Sequence, residues 1–192
     1  MNLPKYRKST IPEKAKKVFE GVIFDVYQWE QELFDGSTTM FEKVARPDTV
    51  EVFPILDDGR ILLLEDSQPG RDTVLTTPGG RVDAGETPEE ATARELLEEG
   101  GLEAEVLVPF YDFSPEEKID WKLYFFIGRG CKKVSDTTPD AGERIIPRPV
   151  SFEKLIELAA NGTLRDSWFR ILAIEAQHDP AKMQELRKKF LG

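Results

Sequence analysis

The feature that most constrains the fold is a short helix whose two ends are both encoded in the sequence. Thr87, Pro88 and Glu90 form a capping box, in which the threonine and the glutamate each accept a backbone hydrogen bond and proline occupies the first helical turn. Gly100-Gly101 is typical of the end of a helix. Since Pro78-Gly79-Gly80 precedes this segment, the sequence predicts a glycine-rich loop followed by a helix of about three turns.

This helix carries a group of glutamates with helical spacing. Glu95, Glu98 and Glu99 stand at positions i, i+3 and i+4, so their side chains project from one face. An acidic face is most often a solvated surface, but here Glu86 and Arg94 accompany it. Clustered carboxylates beside a loop carbonyl provide the oxygen ligands that Mg²⁺ or Mn²⁺ prefers, and arginine can orient one carboxylate through a bidentate pair.

The same residues follow a longer pattern, G-x5-E-x7-R-E-U-x-E-E-x-G-U, in which U is a bulky apolar residue. Its fixed positions are filled by Gly80, Glu86, Arg94, Glu95, Leu96, Glu98, Glu99, Gly101 and Leu102. This segment resembles the Nudix box at each specified position. The resemblance implies an α/β/α sandwich in which this loop and helix form the metal site.

The resemblance also implies roles for individual residues. Glu95 and Glu99 are the expected principal metal ligands, and Glu98, Glu86 and the carbonyl group of Gly79 are expected to contribute. The implied cofactor is Mg²⁺ or Mn²⁺, with about two or three ions per site. Glu98 is expected to take part in catalysis as well.

The likeness extends beyond the box. Residues 41–46 and 50–64 and the hairpin at 33–36 are similar to the ADP-ribose pyrophosphatase branch of the Nudix hydrolases. That branch uses a leading sheet to build a domain-swapped homodimer, and the partner chain helps to line the substrate site. The resemblance therefore predicts a homodimer. Besides the glutamates, Arg94 is expected to take part in catalysis. The expected substrate-binding residues are Arg46, Gly80 and Pro115.

A general base is still needed, and the sequence offers few candidates. His178 is the only histidine, and it lies in a predicted break between helices, where we expect it to be exposed and inactive. The family often takes its base from a flexible loop beyond the sheet. Residues 135–144 are predicted to form such a loop, closing over substrate, and Glu143 is the best candidate. Glu116 and Glu117 are weaker alternatives.

The cysteine content and the charge exclude several classes. Cys131 is the only cysteine, so we expect no disulfide within the chain, no thiolate zinc site and a structural role for this residue. A net charge of −10 without a basic block argues against nucleic acid polymers as partners. With no long apolar run and a polar beginning, the sequence predicts no membrane association and a cytoplasmic location.

The remaining sequence predicts an α+β protein in two parts. Alternation over residues 17–30 predicts one strand, Asp35-Gly36 a hairpin turn and residues 38–44 the partner strand. We assign residues 1–47 to a lead-in and a small antiparallel sheet for dimerisation. Residues 48–192 are assigned to the hydrolase domain with its C-terminal helices.

Within the second part, strands should alternate with turns and helices should follow. The predicted strands cover 50–56, 60–64, 73–76, 103–110 and 119–128, and the predicted helices cover 151–160, 166–177 and 180–190. On the glutamate helix, Ala93, Leu96 and Gly100 are predicted to face the sheet. This order predicts mixed sheets with helices packed against them.

The first-choice function is hydrolysis of the diphosphate bond of ADP-ribose or a related nucleoside diphosphate sugar. The products are a nucleoside monophosphate and a sugar phosphate. A nucleoside triphosphate pyrophosphatase that removes damaged nucleotides is the alternative, although the extra N-terminal sheet argues against it. A nucleotide-sugar sensor that binds without cleaving is a third possibility, but the box retains each of its carboxylates.

Overall fold

Two β-sheets organise the chain, and helices cover both faces of the larger one. The computed structural model describes residues 11–138 and 142–192. The first ten residues of the predicted lead-in, and Pro139 in the predicted loop, lie outside the described residues.

The elements follow one another as short strands and then as helices. The first half contains β1 (Lys16–Glu20), β2 (Asp25–Glu32), β3 (Thr38–Ala45), β4 (Thr49–Leu56), β5 (Ile61–Ser67), β6 (Val74–Thr76), β7 (Gly79–Arg81) and α1 (Pro88–Gly100). The second half contains β8 (Leu102–Glu103), β9 (Val106–Phe113), β10 (Ile119–Asp120), β11 (Leu123–Lys133), β12 (Arg144–Val150), α2 (Phe152–Ala160), α3 (Ser167–His178) and α4 (Pro180–Leu191).

The larger sheet is mixed, as predicted. Its central order is β12-β5-β4-β11-β8, and β6, β7 and β9 pair with β5, β4 and β11 respectively. Strands β4 and β11 run parallel, whereas β5 and β7 pair with β4 in the antiparallel sense. Strand β4 is therefore central, and the chain that follows β7 leads directly into α1.

Alternation along β4 divides the interior into two cores. Phe53 and Ile55 pack with α2, α3 and α4 on one side of the sheet. Val50 and Val52 pack with α1 on the other side. Because successive side chains of a strand point to opposite faces, helices are required on both sides to bury them. The predicted α/β/α sandwich and the α+β class are confirmed.

The smaller sheet contains strands from both sides of the predicted domain boundary. Its order is β1-β2-β3-β10, and β10 pairs in parallel with the end of β3 through Ile119↔Val44 and Asp120↔Ala45. The sheet is thus completed by residues far along the chain. The division into 1–47 and 48–192 stays a prediction.

One predicted strand is wrong. Residues 17–30 form two antiparallel strands, β1 and β2, and the amide of Gly21 donates to the carbonyl oxygen of Phe24 at 3.0 Å to close the turn between them. The alternating pattern continues through Val22 and Phe24, so periodicity alone does not reveal the turn. The predicted hairpin at Asp35-Gly36 is confirmed, with Gly36 at φ +82°.

Two strands of the larger sheet were missed by the sequence prediction, and one was displaced. Strand β12 contains Pro147 and Pro149, which cannot donate to a sheet ladder, and it occupies the edge beside β5, where proline is tolerated. Strand β7 has only three residues, two of them glycines. The strand predicted at 103–110 is instead divided between β8 and β9.

Helix α1 begins and ends where the sequence predicts. The hydroxyl of Thr87 accepts from the amide of Glu90 at 3.2 Å, and the Glu90 carboxylate accepts from the amide of Thr87 at 2.8 Å. Gly101 ends the helix in the left-handed region, at φ +64°. The capping box therefore fixes the start of the segment that carries the glutamates.

The buried face of α1 differs from the predicted one. Ala93 is exposed, whereas Ala91 and Thr92 are buried together with Leu96. The helix is rotated towards the side that carries Glu95 and Glu99. The reason is tertiary: the neighbouring strand β7 consists mainly of glycine, which leaves room for these carboxylates against the sheet.

Three further expectations concern residues and segments away from the box. Cys131 is buried and free, and burial raises the pKa of its thiol to about 11, which fits the predicted structural role. His178 is exposed at the end of α3, as predicted. None of the helices in the described residues has the length and apolar character that crossing a membrane requires.

Candidate active site

The site begins at the contact between α1 and β7. The amide of Gly79 donates to Oε2 of Glu99 at 2.9 Å. A Cβ atom on Gly79 would lie 2.2 Å from the carbonyl oxygen of Val50, and one on Gly80 would lie 2.2 Å from Oε1 of Glu95. A side chain at position 79 would therefore clash with the backbone of β4, and one at position 80 would displace the carboxylate of Glu95.

Arg94 holds three carboxylates beside this contact. Its guanidinium donates to both oxygens of Glu86, at 2.9 and 3.0 Å, to Glu95 at 2.8 Å and to Glu98 at 3.3 Å. It also donates to the carbonyl oxygen of Arg81 at 2.9 Å. The predicted bidentate pair is thus with Glu86, and this pair holds the pKa of Glu86 below its ordinary value.

A cavity of about 380 Å³ lies over these groups. Its lining comprises Gly79, Gly80, Arg81, Asp83, Arg94, Glu95, Glu98, Glu99, Thr138 and Glu143. We call it the carboxylate cavity. Of the predicted metal ligands, only Glu86 does not line it, since its carboxylate is directed to Arg94 and to the amide of Asp83.

The carboxylate cavity concentrates negative charge around one partly buried group. Burial first, and then the charges of Glu95, Glu143 and Asp66, raise the pKa of Glu99 to about 8, although the hydrogen bond from Gly79 acts to lower it. Such an arrangement is unfavourable without a compensating cation. The glutamates are held together although they repel one another.

The chemical type of the donor atoms suits a divalent cation. They are carboxylate oxygens next to a glycine strand whose missing side chains leave space, the chemistry that Mg²⁺ and Mn²⁺ prefer. Across residues 11–138 and 142–192, no three His, Cys, Asp or Glu side chains are already arranged to hold a metal. Glu95 and Glu98 are instead ion-paired with Arg94.

Glu143 lies in the carboxylate cavity, directly before β12. Its Oε1 accepts a hydrogen bond from the side-chain amide of Gln68, one residue beyond the end of β5. The preceding part of the predicted loop is attached to α1, since the amide of Thr138 donates to the carbonyl oxygen of Glu98 at 2.7 Å. The pairing of β12 with β5 therefore brings Glu143 to the glutamates.

A second cavity, of about 460 Å³, continues from the first, and we call it the adjoining cavity. The two share Gly79, Gly80, Arg81, Glu99 and Glu143 in their linings. A ligand can therefore extend from the glutamates into the adjoining cavity.

Arg46 forms part of the wall of the adjoining cavity. Its guanidinium lies 4.5 Å from the ring centroid of Trp121, and the indole N–H of Trp121 donates to the hydroxyl of Thr49 at 2.9 Å. The Nε of Arg46 is buried and has no hydrogen-bond partner among the residues described. Burial lowers the pKa of Arg46 from its ordinary value, and the positive charge of Arg81 makes a smaller contribution in the same direction. Two cations are therefore close together at the junction of the cavities.

The adjoining cavity also exposes a carboxyl group from the sheet. Glu51 on β4 accepts a hydrogen bond from the hydroxyl of Thr77 at 3.0 Å. Burial first, and then the charge of Asp166, raise the pKa of Glu51 to about 8. This carboxyl group was not among the residues predicted from the sequence.

The structure brings most, but not all, of the predicted site residues together. Pro115, Glu116 and Glu117 line neither cavity. Sequence reasoning missed Gln68 and Trp121, which do line the adjoining cavity. Gln68 follows the end of β5, a common position for functional residues, whereas nothing local marks Trp121.

Comparisons with known proteins agree with this geometry. The model of the NUDIX domain family matches residues 45–171. The chain is 32% identical over 99 residues to an ADP-ribose pyrophosphatase of Bacillus subtilis (strain 168), covering 51% of this chain and 54% of that protein. It is 27% identical over 122 residues to a methanol dehydrogenase activator of Bacillus methanolicus, covering 62% of this chain and 66% of that protein.

A solved structure, that of an ADP compounds hydrolase, has the same fold. Its TM-score is 0.60 at 23% identity, and the alignment covers 76% of this chain and 81% of that one. The chain spans between about half and two thirds of the length of the two curated relatives. The family model covers well over half of the chain and includes the complete box. The chain therefore belongs to the NUDIX domain family.

Proposed function

We propose that this protein hydrolyses the diphosphate bond of ADP-ribose or a related nucleoside diphosphate sugar, with a divalent metal as cofactor. The observation that carries this proposal is the continuity of the two cavities. A diphosphate fits their shared lining, beside the glutamates, while the rest of the substrate occupies the adjoining cavity. The likeness to an ADP-ribose pyrophosphatase supports the same substrate class.

The junction of the cavities suits an anion. Arg46 and Arg81 stand close enough for the charge of one to lower the pKa of the other, which favours a negative group between them. The buried Nε of Arg46 is available to a phosphate oxygen, since no described residue accepts its hydrogen bond. Gly80 permits close approach because it has no side chain. We therefore assign Arg46 and Gly80 to substrate binding.

Metal ligands are proposed from the residues that line the carboxylate cavity and from Glu86, which Arg94 holds beside it. Glu95, Glu99 and the carbonyl of Gly79 would hold Mg²⁺ or Mn²⁺, with Glu98 and Glu86 contributing. When bound, such ions supply positive charge that offsets the negative charge developing on the diphosphate oxygens.

Arg94 is proposed as a positioning residue. Its hydrogen bonds to Glu86, Glu95 and Glu98 fix these carboxylates relative to one another and to β7. A bidentate guanidinium–carboxylate pair restricts both groups more than a single contact does. Arg94 therefore prepares the arrangement of oxygens rather than contacting the reacting atoms.

Glu143 is proposed as the general base. The oxygen of a water molecule attacks one phosphorus atom, the proton of that water passes to the Glu143 carboxylate, and the bridging P–O bond breaks. The leaving phosphate takes the bond's electron pair, so the products are a nucleoside monophosphate and a sugar phosphate. The hydrogen bond from Gln68 fixes the orientation of the Glu143 carboxylate for this task.

The function is tested by measuring product release from nucleotide sugars, dinucleotides and nucleoside triphosphates with Mg²⁺ or Mn²⁺. We expect the highest kcat/KM for ADP-ribose or another nucleoside diphosphate sugar, because the adjoining cavity offers room beyond the diphosphate. A preference for triphosphates would favour the nucleotide-cleaning alternative. Binding without cleavage would instead indicate a sensor.

The metal ligands are tested by Glu99→Gln and Glu95→Gln. Each change keeps the size of the side chain and removes the charge of a ligand, so kcat should fall by orders of magnitude while circular dichroism is unchanged. Binding of Mg²⁺ alone, measured by calorimetry, should weaken as well. Glu89→Gln, on the exposed side of the same helix, is the control and should match the wild type. Near wild-type activity in both test variants would contradict the assignment.

The base is tested by Glu143→Gln. We expect kcat to fall about 10²–10⁴-fold, the usual contribution of a positioned general base, with little change in the binding of a non-hydrolysable analogue. Glu117→Gln is the control, because Glu117 is exposed and lines neither cavity. A fall of less than about tenfold would remove the role from Glu143, and a loss of binding alone would make it a substrate contact.

Assembly as a homodimer is proposed from the N-terminal sheet. Val22, Phe24 and Phe34 are exposed there, and Val26, Trp29 and Phe41 are only partly buried. Large apolar side chains exposed on one small sheet favour burial against another chain. We expect sedimentation to give twice the chain mass of 21.8 kDa, and Val22→Glu with Phe34→Glu to give the monomer. Val134→Glu, exposed elsewhere, is the control. A wild-type monomer at all concentrations would refute the dimer.

A further inference from the structure

Glu51 occupies a position in β4 where the strand pattern calls for an apolar residue. It shares a face with Phe53 and Ile55, which are buried in the core beneath α2, α3 and α4. Its carboxyl group lies at the end of that core and lines the adjoining cavity. The core thus ends in a polar group that is reached from the cavity.

The hydroxyl of Thr77 donates to Oε2 of this carboxyl group at 3.0 Å, and the group opens onto the adjoining cavity. Asp166 repels the group and Arg165 attracts it. A carboxyl group withdrawn from water is costly unless it is fully hydrogen-bonded. Packing alone therefore gives no reason for a glutamate here, whereas a ligand in the cavity can hydrogen-bond to it.

The register of the sheet fixes which part of a ligand Glu51 can reach. Glu51 pairs with Gly79 across β4 and β7, and paired strands lie about 4.8 Å apart. Gly79 belongs to the shared lining where the diphosphate is proposed to bind. In a nucleoside diphosphate sugar, a sugar is bonded directly to the diphosphate and a base is one group farther away. Glu51, one strand away from Gly79, is therefore placed to reach the sugar that is bonded to the diphosphate.

The surroundings of Glu51 fit the same ligand chemistry. The hydroxyl-bearing side chains of Thr49, Thr76 and Thr77 and the guanidinium of Arg165 line the adjoining cavity with it. The aromatic ring of that lining belongs to Trp121, which is already covered on one face by Arg46. Hydroxyl groups find donors and acceptors among these neighbours, and a carboxylate oxygen is a strong acceptor for them.

We propose that Glu51 determines specificity by accepting hydrogen bonds from the hydroxyl groups of the sugar bonded to the diphosphate. The protein then selects diphosphates whose attached sugar keeps its ring hydroxyls over those with a deoxygenated or alkyl group. This inference rests on the proposed function, because it takes the diphosphate site from there.

The experiment measures binding rather than turnover. A methylene-bridged analogue of ADP-ribose and a matched analogue without hydroxyls on the sugar are titrated calorimetrically, with Mg²⁺, into the wild type and Glu51→Gln. The change replaces one carboxyl oxygen by an amide NH2 group, which donates and cannot accept, so binding of the first analogue should weaken about tenfold or more. Binding of the deoxygenated analogue should be unchanged. Glu103→Gln, exposed on β8, is the control.

Thermal unfolding separates a specificity role from a structural one. Glu51→Gln keeps the size of the side chain and removes a carboxyl group whose ionisation is opposed by burial, so its Tm should equal or exceed that of the wild type. A lower Tm with equal loss of affinity for both analogues would overturn the inference, and so would undiminished binding of the hydroxylated analogue. Wild-type binding without cleavage of any nucleotide sugar would overturn the proposed hydrolysis alone. No binding of either analogue would overturn both.

Discussion

The contact between α1 and β7 controls the geometry of the whole site. Gly80 has no Cβ atom, which leaves room for the carboxylate of Glu95 against the sheet, and the amide of Gly79 donates a hydrogen bond to Glu99. The packing of an apolar stripe on α1 thereby holds together carboxylates that repel one another. Arg94 offsets part of that repulsion and orders the acidic groups. The free energy of packing α1 against the sheet offsets the repulsion between these carboxylates.

Local rules explain what the sequence could predict. Helix caps and the i, i+3, i+4 spacing depend on residues only a few positions apart, so the ends of α1 and the grouping of its glutamates were accessible. The rotation of α1 was not, because burial of Ala91 rather than Ala93 is decided by the glycines of another strand. The turn at Gly21 was hidden by an alternation that continues through it.

Residues that meet across the fold were the hardest to find. Trp121 reaches the adjoining cavity because the backbone around it is hydrogen-bonded to the segment around Arg46, and Glu51 reaches it because β7 pairs with β4. Neither arrangement has a signature within a short window of sequence. Glu143 was accessible only through the resemblance to a family, and the pairing of β12 with β5 gives the physical reason for its position.

The parallel pairing of β3 with β10 has a consequence for how the chain folds. During synthesis, β1, β2 and β3 emerge first, but their sheet lacks its last strand until Ile119 and Asp120 have been made. Pairings between distant parts of a chain form slowly, because the intervening segment must be closed into a loop first. The same pairing aligns Arg46 with Trp121, so this wall of the cavity cannot form until the chain beyond β10 has been made. A nascent chain shorter than about 120 residues therefore has its metal-ligand helix but no complete substrate pocket.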